Sequence, residues 1–188
     1  MHYNRPEFFM DSGFFVFGKG GISMSEDFVI RRARIDDVPD IARIYNYAIE
    51  HTTATFDTEP KTVDDWLATF REHGDKYPIL VAVVDSQVAG WGLIRPFGER
   101  KAYCYTVENA VYIDCNYQGR GLGSALLGEL ISIAREAGFH AMLALVVGGN
   151  EVSLRLHEKF GFERVGVMKE VGRKFDRWLD IVVMEKLL

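Results

Sequence analysis

The chain has 188 residues, 48% of them hydrophobic and 26% charged, with a formal net charge of −5. That describes one globular domain, or a domain with a tail, long enough to bury a core. The acidic balance argues against a nucleic-acid or anionic-membrane surface, no apolar run approaches the roughly 20 residues of a membrane span, and two cysteines are too few for a disulfide scaffold and lack metal-ligand spacing.

Residues 1–25 read as a flexible leader or tag-like extension, and residues 26–188 as the domain. Met24 stands as a second start, just before the periodic sequence begins. The leader carries an FFVF cluster but no signal-peptide core or cleavage pattern. Its GKGG lacks the Ser or Thr of a phosphate loop and reads as linker. The alternative is an aromatic arm docked on the domain or on a second subunit. With no targeting signal and two cysteines, a reducing cytoplasm is the simplest compartment.

Phe28 to Ala33 alternates as a strand. Asp36 or Asp37 can then cap a helix with Pro39 in its first turn, and Ile41, Ile44, Tyr45 and Ala48 share one face. A loop carrying Phe56 follows. Thr62 and Asp65 form a capping box for a second helix, which holds Trp66, Leu67 and Phe70 and ends near Gly74. YPILVAVVD and VAGWGLIRPF make a hairpin about a DSQ turn. The pattern AYCYTVENAVYIDCNY predicts a long strand, on which Val107, Val111 and Ile113 point one way. Cys104 and Cys115 on that strand would stand roughly 36 Å apart at about 3.3 Å per residue, too far to bridge, and read as buried small hydrophobes. A helix from about Arg120 to Ala137 follows, with Leu122, Leu126, Leu130, Ile133 and Ala137 as its buried stripe and Gly138 as its stop. AMLALVV predicts a strand covered on both faces. Gly148, Gly149 and Asn150 turn the chain into a short helix that stops at Gly161, and two last strands form a hairpin around Gly172. The order β-α-α-β-β-β-α-β-α-β-β predicts an α/β (α+β) fold, a sheet of mixed direction with helices on its faces.

YQGRGLGSALL places three glycines within five residues immediately before the third helix. A helix N-terminus offers unpaired N–H groups and a positive dipole end, and glycines ahead of it let an anion approach the backbone. The pattern predicts a phosphate or pyrophosphate ligand. A GxxxxGK[ST] loop is excluded because no Lys follows. The dinucleotide fingerprint fails at its third glycine, where Ser124 stands, and its acidic ribose partner would fall in AMLALVV, which has none.

Gln118-Gly119-Arg120-Gly121-Leu122-Gly123 resembles the Q/R-x-x-G-x-G/A signature of the GNAT acetyltransferase superfamily. NEVSLRLHEKFGF, one strand later, is similar to that superfamily's second motif. YTVENAVY, LHEKFGF, the opening RRARIDDVPDIARIYN and the final Val171, Gly172, Lys174, Trp178 and Asp180 resemble the phosphinothricin/methionine-sulfoximine acetyltransferases in particular. The resemblance covers residues 28 to 187. It implies a mostly antiparallel central sheet with helices on both faces. It also implies acetyl-CoA as co-substrate, held at Gln118, Gly119, Arg120, Gly121, Leu122, Gly123 and Ser124, along Val111, Tyr112 and Ile113, and near Asn150 and Ser153. No metal is implied.

Acetyl transfer to an amine needs a proton acceptor for the ammonium, donors for the thioester oxyanion, and a proton for the departing thiolate. Glu108 lies within an apolar and aromatic strand, where burial would raise its pKa and suit it as base. The resemblance makes it the catalytic Glu and places His157 where many relatives carry the Tyr that protonates the thiolate. The bland alternatives are a solvated Glu and a core His. The oxyanion donor would be a backbone N–H between Val111 and Cys115. An amino-acid carboxylate wants a cation, best Arg. By resemblance Arg100 and Tyr103 would hold it, with Phe56 and Tyr112 lining the pocket. Lys174, Trp178 and Asp180 read as strand pairing and packing, and the family relation implies a homodimer. The leading expectation is direct transfer from acetyl-CoA to a small amino acid or analogue. The alternatives are a transferase for protein N-termini or another amine, and a non-catalytic acyl-CoA sensor.

Overall fold

The computed structural model describes residues 28–74 and 76–188; the expected leader at residues 1–25, with Met24, lies outside the described residues. The elements are β1 (Phe28–Arg32), α1 (Val38–His51), α2 (Val63–His73), β2 (Ile79–Val84), β3 (Gln87–Pro96), β4 (Thr106–Ile113), α3 (Leu122–Glu136), β5 (Ala141–Val147), α4 (Glu151–Lys159), β6 (Glu163–Lys174) and β7 (Arg177–Leu187). The strands form one sheet in the order β1-β2-β3-β4-β5-β7-β6. Among the described residues only β4 and β5 run parallel; the other neighbours are antiparallel.

Alternation along the strands sorts side chains onto two faces. Leu80, Ala82, Ile94 and Val107 pack with α3 on one, while Ile79, Val81, Trp91 and Leu93 pack with α1 and Trp66 of α2 on the other. Val111 and Ile113 join Val107 on the α3 face, as expected. The buried stripe of α3 is Leu122, Leu126, Leu127, Leu130, Ile131 and Ala134. Ile133 is only partly buried and Ala137 is exposed, because the helix starts later and its apolar face is rotated from the expected i, i+4 row. Thr62 and Asp65 form the expected capping box of α2. Asp37 instead grips Arg31 and the Arg34 amide, and so shapes the 3-10 turn before α1.

Three expectations are corrected. The strand expected from Ala102 to Tyr117 is only β4. Cys104 follows a 3-10 turn at Lys101–Tyr103, and Cys115 opens another at Cys115–Tyr117. Both thiols are exposed rather than buried, and no extended strand joins them. The Asp114 carboxylate, accepting from the Asn116 amide, ends β4 by offering the backbone a turn. The last hairpin turns at Phe175 and Asp176, with φ of +49° and +59°, and Gly172 lies inside β6.

Candidate active site

β4 and β5 pair only from Thr106 to Glu108 with Ala141 to Leu143. Beyond that the strands continue apart, β4 held by β3 and β5 by β7. The Asn109 amide donates to the Leu143 carbonyl at 3.0 Å, closing the ladder where the strands part. Residues 110–113 and 144–147 then line a cleft of about 1400 Å³. Leu145, expected under cover, is 37% exposed there.

At the far end of β4 the Asp114 carboxylate accepts from the Asn116 backbone and side-chain amides and from Arg43 of α1 at 2.5 Å. Burial pushes this carboxyl up, but the Arg43 guanidinium and the Asn116 amides outweigh it and hold it below the usual carboxylate range. The turn pinned this way delivers the glycine loop. Gly119 and Gly121 adopt φ of +77° and +86°, the left-handed region that favours glycine, and Gly121 is the N-cap of α3. A Cβ at either would meet nothing within 4 Å, so backbone conformation, not internal packing, accounts for these glycines. Gln118, Gly119, Gly121, Leu122, Gly123 and Ser124 all line the cleft. Arg120 differs: its guanidinium lies over the Tyr117 ring, 5.0 Å from the centroid.

Alternation on β4 divides the candidate chemistry between the two faces of the sheet. Glu108 and Tyr112 face α1 and the loop that follows it. The Glu108 side chain is 12% exposed and accepts from Arg95 of β3, its cross-strand partner, at 2.7 Å. Burial opposes the charge on Arg95, and the Glu108 carboxylate more than restores it. Tyr112 stacks on Trp91 at 4.8 Å and meets Tyr45 edge-on; burial pushes its phenol well up. Asn109 faces the other way, toward α4. Asn150 caps that helix by accepting from the Ser153 amide. His157, 5% exposed, sets Nδ1 2.8 Å from the Ser153 carbonyl and Nε2 3.1 Å from Asn109 Oδ1. Burial pushes its imidazole below the usual value, with the Ser153 carbonyl acting in the opposite sense. Glu108, Val111, Ile113, Asn150, Ser153 and His157 all line the one cleft.

The loop between α1 and α2 covers the Glu108 side. Lys174 Nζ donates to the Thr55 carbonyl at 2.9 Å, Tyr45 bonds Thr55 and Asp57 through its hydroxyl, and Asn46 exchanges two hydrogen bonds with the Lys61 backbone. Phe56 lines the cleft, seated where a Cβ on Gly172 would come within 2.2 Å of its ring. The terminal motif is therefore largely structural. Gly172 makes room for Phe56, Lys174 straps the loop, and Asp180 holds Lys169 and the Glu170 amide; Trp178, expected to pack, is instead 62% exposed, and Val171 lines the cleft.

Arg100 and Tyr103 do not line the cleft. Both are exposed on the excursion between β3 and β4, and Tyr103 packs edge-on against Phe97. A 3-10 turn at Lys101–Tyr103, with Arg100 at its N-cap, carries the chain here before β4 begins. Arg95 lines the cleft directly beside Glu108, with Lys61 elsewhere on its wall, and the sequence alone did not single Arg95 out. A signal existed: Arg95 shares the alternation of Trp91 and Leu93, so a hairpin register would have set it beside Glu108. Asn109, Arg43 and Asp114 were missed as well, since their roles come from tertiary partners. Among the described residues no group of three His, Cys, Asp or Glu side chains could hold a metal, and no helix is long and apolar enough to cross a membrane.

Residues 41–162 match the model of the acetyltransferase (GNAT) family. The L-methionine sulfoximine/L-methionine sulfone acetyltransferase of Pseudomonas aeruginosa is 41% identical over 166 residues, covering 83% of this chain and 92% of the relative. The L-amino acid N-acyltransferase MnaT of Escherichia coli strain K12 is 38% identical over 157 residues, covering 83% and 91%. Among solved structures, a GNAT superfamily phosphinothricin acetyltransferase from Sinorhizobium meliloti in complex with acetyl-CoA superposes with a TM-score of 0.83 at 32% identity, covering 86% of this chain and 88% of that one.

Proposed function

This chain belongs to the acetyltransferase (GNAT) family, and from that premise we propose that it transfers the acetyl group of acetyl-CoA directly to the α-amine of a small amino acid or analogue of the methionine sulfoximine, methionine sulfone or phosphinothricin type. The observation that carries the substrate class is the Arg95–Glu108 ion pair facing the cleft. Its charges are the complement of an amino-acid zwitterion. The substrate carboxylate takes Arg95, and the ammonium takes the carboxylate that Arg95 releases. Phe56, Tyr112 and Val171 line the same cleft as that pair.

On the co-substrate side, the N–H groups at Gly119, Gly121 and the start of α3 receive the pyrophosphate. The N–H groups of residues 111–113 that turn away from β3 serve the acyl-carrying arm and the oxyanion. Glu108 removes a proton from the ammonium, the free amine attacks the acetyl carbon, and the carbon–sulfur bond breaks. The thiolate then takes a proton from His157. Base and acid stand on opposite faces of β4, so the two proton transfers do not compete for one space. The transferase domain spans residues 26–188, and the cytoplasm is its proposed compartment. A homodimer is part of the proposal too: β6 is an edge strand whose Val165, Val167 and Val171 are each at least half exposed, an apolar edge that calls for cover.

Thiol release from acetyl-CoA tests the proposal against a panel of amino-acid analogues, ordinary amino acids, polyamines and N-terminal peptides. Turnover is expected with the analogues. Glu108→Gln is expected to lower kcat by roughly 10²- to 10⁴-fold, and Arg95→Met to raise KM for the amino acid by about 10- to 100-fold. Turnover of peptides or polyamines alone would overturn the substrate class, and bound acetyl-CoA without turnover would point to a sensor.

A further inference from the structure

On the Asn109–His157 side of the cleft the Leu143 carbonyl, the Asn109 amide and the Ser153 carbonyl constrain the imidazole in turn, while the Ser153 hydroxyl, 3.5 Å from Nδ1, can donate or accept and so constrains nothing. The Leu143 carbonyl can only accept, so the Asn109 side chain must present its NH₂ there. That turns Oδ1 toward His157 Nε2, 3.1 Å away. Oδ1 also only accepts, so the ring nitrogen facing it must carry hydrogen. The Ser153 carbonyl, 2.8 Å from Nδ1, asks the same of the other nitrogen. A ring with both protons satisfies both contacts; a ring with one leaves an acceptor facing an acceptor. Burial pulls against the charged form. The side chains packed around the ring add no formal charge: Ser153 from its own helix, Asn109 from β4, and Phe162 edge-on at 5.0 Å. Glu108, next in sequence to Asn109, projects from the opposite face of the strand toward Arg95.

We infer that Asn109 is a positioning residue that holds His157 as a proton donor at Nε2, at the apex where β4 and β5 part. It acts through two contacts, one anchoring its amide on Leu143 and one aiming its oxygen at the imidazole. Its use in catalysis rests on the proposed role of His157 as the acid that protonates the thiolate. The positioning itself does not, and the test separates the two.

Asn109→Leu keeps the approximate volume and removes the acceptor; Asn109→Asp keeps an oxygen at that place and adds charge. Circular dichroism checks that each variant folds, and either alone suffices for the test. In ¹⁵N-labelled protein, long-range ¹H–¹⁵N correlations report the protonation of each His157 nitrogen, with His157→Gln assigning the signals. The pH dependence of kcat is followed alongside. Supporting results are hydrogen on Nε2 in the parent protein and a His157 titration moved down by about one pH unit in the Leu variant, or upward in the Asp variant. If His157 is the acid, the basic limb of the kcat profile moves with it. A titration that moves while that limb stays still supports the positioning and removes His157 from the thiolate step. A titration that is unmoved in both variants, or an Nε2 without hydrogen, overturns the inference even if His157→Gln abolishes turnover.

Discussion

Arg95 and Glu108 are cross-strand neighbours on a half-buried face, where a charge-assisted hydrogen bond is stronger than at an open surface. Glycine 172 acts at the same scale by an absence. Its missing Cβ is the space Phe56 occupies. Gly172→Ala is expected to swing the Phe56 ring aside rather than unfold the chain, because the clashing atoms belong to a partly exposed side chain. Steady-state kinetics should show a several-fold higher KM for the amino acid with KM for acetyl-CoA unchanged, while thermal melting shifts by only a few degrees. The sequence disclosed Glu108, His157 and Phe56 through motif and chemistry. Arg100, expected to hold the substrate carboxylate, stands exposed on the excursion between β3 and β4 and outside the cleft lining, because the point where β4 begins was not legible in the strand pattern. Asn109 stayed hidden because its partners, Leu143 and His157, lie 34 and 48 residues away in sequence.

The glycine loop works as an element because Asp114 and Arg43 fix the turn before it. Gly121→Ala places a Cβ in the left-handed region at a cost of about 1–2 kcal/mol and crowds the helix start proposed to receive the pyrophosphate. A lower melting temperature and a raised KM for acetyl-CoA are expected together, with KM for the amino acid little changed. Asp114 carries a pH consequence. Its folded pKa is held below the unfolded value, so its contribution to stability is complete above about pH 4 and is lost as the pH falls through the folded value. Urea titrations between pH 2 and 5 should show a shallower acid decline for Asp114→Asn than for the parent, from a lower starting stability. Elements were legible wherever periodicity and caps agreed, as in α2 with Thr62 and Asp65. Legibility failed at the ends of β4 and at the last turn. Side-chain hydrogen bonding by Asp114 ended the first early, and positive φ at Phe175 and Asp176, residues without a glycine's signature, concealed the second.

At the scale of the whole molecule, the sheet is two antiparallel blocks, β1 to β4 and β5 to β7, joined by one short parallel ladder. The succession of elements and the mixed direction of the sheet followed from the alternation of helices and strands in the sequence, whereas the strand order did not. The parting of β4 from β5 did not, because hydrophobic pattern records burial and carries no count of missing ladder bonds. The parting has a spectroscopic corollary. Amides of residues 110–113 that point away from β3 have no neighbouring strand, so their hydrogens should trade with solvent deuterium readily in the resting protein. Their β3-facing neighbours on the same strand should be slow. Acetyl-CoA should silence that alternation, slowing every second amide of one strand while leaving α2 untouched. Uniform protection along β4 before the co-substrate is added would mean that the sheet closes in solution. With the expected alternating trace, mass-resolved exchange of this single peptide becomes a label-free gauge of how full the enzyme is.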